Sequence, residues 1–285
     1  MKSPTLHLRP SPRLRHCAAF TLVELMVAMM VLTLVMGLLL QIFSGTVRAT
    51  QNSHRQMVAM RQARMVLDPL RKDLTALVAQ GEAATIFVRQ DSGNATLAFL
   101  TRNRGPQGVS DFRFLAVAYE LAGTQLTRKA EIVTWGQPDL MAQALAAVTA
   151  PNVAPLSNSV LRFEVMVVLD NGTTEPLSTA GPWKSDTALG ETVPSGFYAL
   201  RLAGGAAPDP AAPRVRSLTV AVATVEESIL RLPGATNIGA LLPSPAAGQT
   251  PHEAWNTLIN SGALNAIPQP AISTMRIVQM TVPVR

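Results

Sequence analysis

Glu24 is the one carboxylate in AAFTLVELMVAMMVLTLVMGLLL, residues 18–40, and it stands close to the start of that apolar run. An acid at the centre of a membrane-spanning helix costs roughly 2.5–3.5 kcal/mol, and less near an end, where it reaches the headgroups. To take part in chemistry there it needs a cation inside the apolar layer. A peptide cut between Ala19 and Phe20 would create one, a new α-ammonium four residues before Glu24. In a bundle of such helices the ammonium of one chain can pair with Glu24 of its neighbour. The low dielectric strengthens that pairing, and a mispaired register leaves a buried charge uncompensated. The plainer alternative is an interfacial acid that the membrane merely tolerates.

The element that must hold this acid is a helix. From Leu25 to Leu40 only Thr33 interrupts the apolar residues. Extended from Phe20 to Phe43, the segment is about 24 residues, or ~36 Å as a helix, enough to cross ~30 Å of hydrocarbon. It lacks the polar face that a soluble core helix keeps. The leader before it, MKSPTLHLRPSPRLRHCAA (1–19), is basic and has no apolar stretch of its own. A secretory signal runs basic, apolar, small-residue cleavage site. Here the small residues Ala18 and Ala19 precede the apolar run, so cleavage after Ala19 leaves the helix on the mature chain. Lys2, Arg9, Arg13 and Arg15 lie before the segment, and Arg48, Arg55 and Arg61 follow it. The bias toward a cytoplasmic N-terminus is therefore slight.

Ala19-Phe20-Thr21-Leu22-Val23-Glu24, with its basic leader and apolar helix, resembles the class III signal of type IV pilins and type II secretion pseudopilins. The resemblance implies a prepilin peptidase that cuts between Ala19 and Phe20 and N-methylates Phe20. It also implies that Glu24 serves assembly. Ala19 replaces the family's usual glycine, though it is also small.

Past Phe43 the chain turns polar and then periodic. Met60, Ala63, Leu67, Leu70, Leu74 and Leu77 form an apolar stripe on a helix, with Arg61, Arg64, Arg71, Lys72 and Asp73 off it. Pro69 is expected to kink this helix, and Gly81 to end it. Residues 84–88, 96–101, 112–121, 125–135, 159–169, 197–202 and 216–224 read as strands, with turns at 122–124 and 170–172. The expected fold is α+β: a long N-terminal helix, transmembrane in its first half, packed on an antiparallel β-sheet domain, as in pilins. The expected parts are a leader (1–19), a membrane and assembly helix (20–43), its amphipathic continuation (44–81) and a periplasmic α+β domain (82–285). Arg61 to Trp135 also resembles the J-type minor pseudopilin of type II secretion, through RQARMVLDPLRKDL, LAFLTRNRG and FLAVAYEL…QLTRKAEIVTW. A related set is the Verru_Chthon cassette pilin-like group. Farther on, GGAAPDPAAP (204–213) reads as a loop. TVEESILRL (224–232) and TPHEAWNTLINSG (250–262) each open on a Thr-x-x-Glu capping box, and STMRIVQMTVPV reads as a last strand.

Without the leader, 20 basic residues face 18 acidic ones, a balance that argues against a nucleic-acid surface. Cys17, the only cysteine, lies in the leader, so the mature chain would have no thiol. His54 and His252 stand alone beyond the leader, and no phosphate loop or nucleophile motif is present. Asp170-Asn171-Gly172 offers oxygens to calcium but reads first as a turn, and Trp135, Trp183 and Trp255 read first as core. No enzyme activity and no cofactor or metal are expected. The function expected is a minor pilin-like subunit of a type II secretion pseudopilus or related type IV filament, acting at its tip or in its initiation. Its expected partners are the prepilin peptidase, other pilins or pseudopilins, the inner-membrane assembly platform and the lipid bilayer. It would be single-pass in the inner membrane, with a periplasmic C-terminal domain. The competing reading is a membrane-anchored periplasmic binding protein that never polymerises.

Overall fold

The computed structural model describes residues 21–78, 85–91, 94–104, 112–133, 140–149, 153–179, 181–185, 187–188, 191–193, 196–202, 213–264 and 267–284. The leader, Ala19, Phe20, Gly81, Trp135 and most of the 204–213 loop lie outside them. The chain forms two compact units, Met1–Gln51 and Asn52–Arg285.

Helix α1 runs from Leu22 to Thr75. In the first unit every described side chain is exposed, including Leu22, Met30 and Phe43, and the helix is long and apolar enough to cross a membrane. Thr33, the one polar interruption between Glu24 and Leu40, donates its hydroxyl to the Met30 carbonyl at 2.9 Å. That back-bond satisfies the hydroxyl within the helix itself, as a hydrocarbon surrounding requires.

In the second unit the same helix becomes one-sided. Ala59, Ala63, Val66, Leu67, Leu70, Asp73 and Leu74 are buried. The expected stripe is thus mostly observed, with two corrections. Met60 is exposed and Ala59 takes the inward position, because Thr224 donates its hydroxyl to the Ala59 carbonyl at 2.9 Å and demands close approach there. Asp73, expected on the polar face, points inward. Pro69 lies inside the helix without ending it; buried Val66, Leu67, Leu70 and Leu74 on either side hold the turns together. The helix stops at Thr75, earlier than Gly81, because the next residues join a sheet. Val78 N–H donates to the Leu100 carbonyl, and Arg102 N–H donates to the Ala76 carbonyl. The Thr101 hydroxyl lies 3.0 Å from the Asp73 carbonyl and 3.1 Å from that of Ala76, where the helix end leaves acceptors without partners.

The strands follow in order: β1 Thr85–Asp91, β2 Asn94–Arg104, β3 Phe112–Ala122, β4 Gln125–Val133, β5 Val153–Ser157, β6 Val160–Leu169, β7 Thr174–Pro176, β8 Lys184–Ser185, β9 Thr187–Ala188, β10 Glu191–Thr192, β11 Tyr198–Arg201, β12 Val215–Thr224 and β13 Arg276–Pro283. They make a seven-stranded sheet ordered β5-β4-β3-β2-β1-β11-β8, a four-stranded sheet ordered β13-β12-β6-β7, and the β9–β10 pair. All ladders between named strands are antiparallel. Among the described residues the single sheet expected from sequence is therefore divided into two large sheets and the small β9–β10 pair. The β3–β4 hairpin turns at Gly123-Thr124, with Ala122 paired to Gln125 and Gly123 at φ +61°. That φ is open to glycine at no steric cost.

Alternation along β2 and β3 serves two cores. Leu97, Phe99, Val117 and Tyr119 face the core shared by α1 and both large sheets. Ala98, Leu100, Ala116 and Ala118 face helix α2 (Leu140–Thr149). A third core lies under α3 (Ile238–Leu241), α4 (Pro251–Asn260) and α5 (Gln269–Thr274) and includes Leu161, Ala223 and Trp255. Trp183 and Trp255 are core residues, the latter donating its indole N–H to the Pro243 carbonyl at 2.8 Å.

The two expected capping boxes part ways. At α4 the Thr250 hydroxyl accepts the Glu253 N–H while the Glu253 carboxylate accepts the Thr250 N–H, and Pro251 opens the helix. These bonds from Thr250 hold the Glu253 carboxyl below its usual range. Thr224, by contrast, is the buried last residue of β12. Its hydroxyl is committed to Ala59, so the short 3-10 helix Glu227–Arg231 starts without a side-chain cap. At Gly239 a Cβ would run into the Leu161 carbonyl, which explains the glycine where α3 meets β6.

Candidate functional site

Thr21 stands just before the first residue of α1, and its hydroxyl accepts the Glu24 N–H at 3.2 Å. The spacing Thr-x-x-Glu is that of a helix start, so the sequence carried this signal at Thr21 as openly as at Thr250. Glu24 is thereby fixed in the first turn, with its carboxylate exposed. An acid there also meets the positive end of the helix dipole. Ala19 and Phe20 lie outside the described residues, so of the predicted site only Glu24 is placed by the structure.

Two polar clusters that sequence reading missed fix the helix and the sheets of the second unit. In the first, Arg128 on β4 reaches across to Asp73 on α1 with both arms. Its Nε donates to Oδ2 at 2.7 Å and Nη2 to Oδ1 at 3.2 Å. Tyr119 on β3 donates its hydroxyl to Oδ2 at 2.6 Å. Burial, with Asp73 beside it, pushes the Tyr119 phenol well above its usual range. This is a charge-assisted, two-pronged clamp between helix and sheet.

In the second cluster, Arg162 and Glu164 lie two apart on β6 and form a buried pair at 3.1 Å. Gln90 on β1 donates to Glu164 at 3.0 Å, and Arg162 donates to the Ser244 hydroxyl at 3.1 Å and the Gly239 carbonyl at 3.5 Å. Burial nonetheless raises the Glu164 carboxyl above its ordinary value. Asn94 at the start of β2 accepts the Phe163 N–H at 3.2 Å, a second tie between the sheets. Asp73, Tyr119, Arg162 and Glu164 are buried, and each cluster ties separate elements of the body to one another.

The remaining candidates resolve as local structure. The Asn171 side-chain oxygen accepts from the Thr173 N–H and hydroxyl, closing the turn between β6 and β7. His54 and His252 are exposed helix residues, and His252 meets Asn256 one turn on.

Residues 14–40 match the family described as "Prokaryotic N-terminal methylation motif". No curated protein sequence matches the chain. Among solved structures, a type IV-like pilin from Thermus thermophilus aligns with a TM-score of 0.40 at 13% identity, over 79% of this chain and 96% of that one. The chain thus carries a prokaryotic N-terminal methylation motif at residues 14–40, continued by a long apolar helix and followed by an antiparallel α+β body.

Proposed function

We propose that the protein is a minor subunit of a type II secretion pseudopilus or a related type IV filament, working by assembly at its tip or initiation step. The observation that carries this is the methylation motif set directly on a 54-residue helix whose first half is largely apolar and exposed. In this reading a prepilin peptidase cuts between Ala19 and Phe20 and methylates Phe20. The helix keeps the subunit in the inner membrane until neighbouring helices of the filament replace lipid. Glu24 then sets the register by pairing with a neighbour's N-terminal ammonium, and the body is presented on the periplasmic side. The assembly platform and other pilins or pseudopilins are its partners.

The competing reading, a single-pass anchor that never polymerises, draws on the Thr21 cap, which gives Thr21-x-x-Glu24 a purely local use. Intact mass of the membrane-extracted protein separates the two. We expect a chain starting at Phe20 with one added methyl group; a start at Met1, or beyond the apolar run, sinks the filament reading. The minor role is checked by quantitative proteomics of sheared filaments. We expect low copy number beside a different repeating subunit, and finding this chain as the repeating subunit would reverse that assignment.

A further inference from the structure

The outward side of α1 in the second unit carries an unbalanced charge. Arg61, Arg64, Arg71 and Lys72 are exposed there, against the single acid Asp68. At 100° per residue Arg61 and Lys72 fall opposite the buried residues Ala63, Leu67, Leu70 and Leu74, and Arg64 and Arg71 lie on one flank of that outward side. Asp68 lies four residues from both Arg64 and Lys72, close enough to offset one charge. None of the four cations forms an ion pair with another described residue. Arg55, on the flank of the helix, is different: it is held by Glu226 at 3.2 Å. Two large apolar side chains, Met57 (62% exposed) and Met65 (54%), lie among the cations. Exposed methionines of this kind suit an adaptable protein contact.

From this we infer that the outward face of α1 between Met57 and Lys72 docks against an acid-bearing helix of a different pilin-like subunit, and that it disfavours a second copy of this chain. The inference rests on the filament reading, in which α1 is flanked by neighbours' helices. Two copies packed side by side would bring these cations together, and like charges across an interface are costly and suppress the wrong partner. An acidic helix would meet four cations at once while covering Met57 and Met65.

The test uses the full chain in membranes, with Cys17→Ser and a single reporter thiol at an exposed small residue flanking the face, Ser53→Cys or Thr75→Cys. A second, differently tagged copy carries Arg61→Glu, Arg64→Glu and Arg71→Glu. A bismaleimide then reports which copies are neighbours. We expect the native/acidic pair to crosslink about tenfold more than the native/native pair at low salt. The preference should shrink as salt rises, because exposed charges are screened over ~10 Å at 0.1 M. A third copy with the same three residues changed to Gln guards against misfolding of the acidic one, and should crosslink with itself more than the native chain does. Equal yields in all pairs, a salt-independent pattern, or no crosslinking in any pair would overturn the inference. Failure here with a mature start at Phe20 leaves the filament reading standing, whereas a start at Met1 removes that reading whatever the crosslinks show.

Discussion

Asp73→Ala should destabilise the body by ~3–5 kcal/mol, the range for breaking a buried ion pair from one side. Asp73 is 2% exposed and accepts three hydrogen bonds, two from Arg128 and one from Tyr119. Its loss strands a fully buried phenol and a guanidinium whose side chain keeps 20% exposure. That residual hydration places the expected cost toward the lower end of the range. Replacing both partners with apolar residues, Asp73→Leu with Arg128→Met, should recover much of it, since an apolar pair leaves no uncompensated charge. Tyr119→Phe should cost less, ~1.5–3 kcal/mol, because only one hydrogen bond to a charged group is removed. The phenol also gives the cluster an alkaline limit. Its folded value is raised, so its contribution is complete below the unfolded value of ~10 and is lost as pH rises above it. Denaturant midpoints of the detergent-solubilised chain, taken near pH 7 and above pH 10, measure all of this. An Asp73→Ala chain as stable as the native one, or an alkaline loss that persists in Tyr119→Phe, would refute the account.

Glu24→Leu should leave membrane insertion and leader cleavage intact while incorporation into a filament falls steeply. The leader, Ala19 and the apolar run are untouched by the change, and Thr21 still accepts a backbone N–H at position 24. What disappears is the partner of a neighbour's ammonium, a loss of ~3–5 kcal/mol if the pair is buried and less near the headgroups. Thr21→Ala is the matched control. It removes the local cap, worth ~0.5–2 kcal/mol to the helix, yet leaves the carboxylate in place. If register is set by Glu24, only the first variant stops co-purifying with partner pilins from crosslinked membranes, while both are processed normally by mass. Normal co-purification of Glu24→Leu would reduce the acid to a tolerated bystander. Equal loss in both variants would point to the helix start rather than the charge.

What the sequence determined by itself was whatever a short window of residues can specify. The apolar run that makes the first half of α1, the Thr250 capping box, the hairpin at Gly123 and nearly every long strand follow from local pattern, because period, cap and turn chemistry act between near neighbours. The Thr21 cap is legible in the same way, from its Thr-x-x-Glu spacing. The tertiary structure alone decided which polar residues turn inward. Asp73 meets partners 46 and 55 residues away, Thr224 bonds a carbonyl 165 residues earlier, and Gln90 reaches Glu164 across two sheets. Helix α2 and the division into separate sheets belong to the same class. Ala144 and Ala147 have a face to bury only after β2 and β3 present their alanines. A polar side chain carries no periodic mark of its distant partner, since its burial is favourable only once that partner is in place.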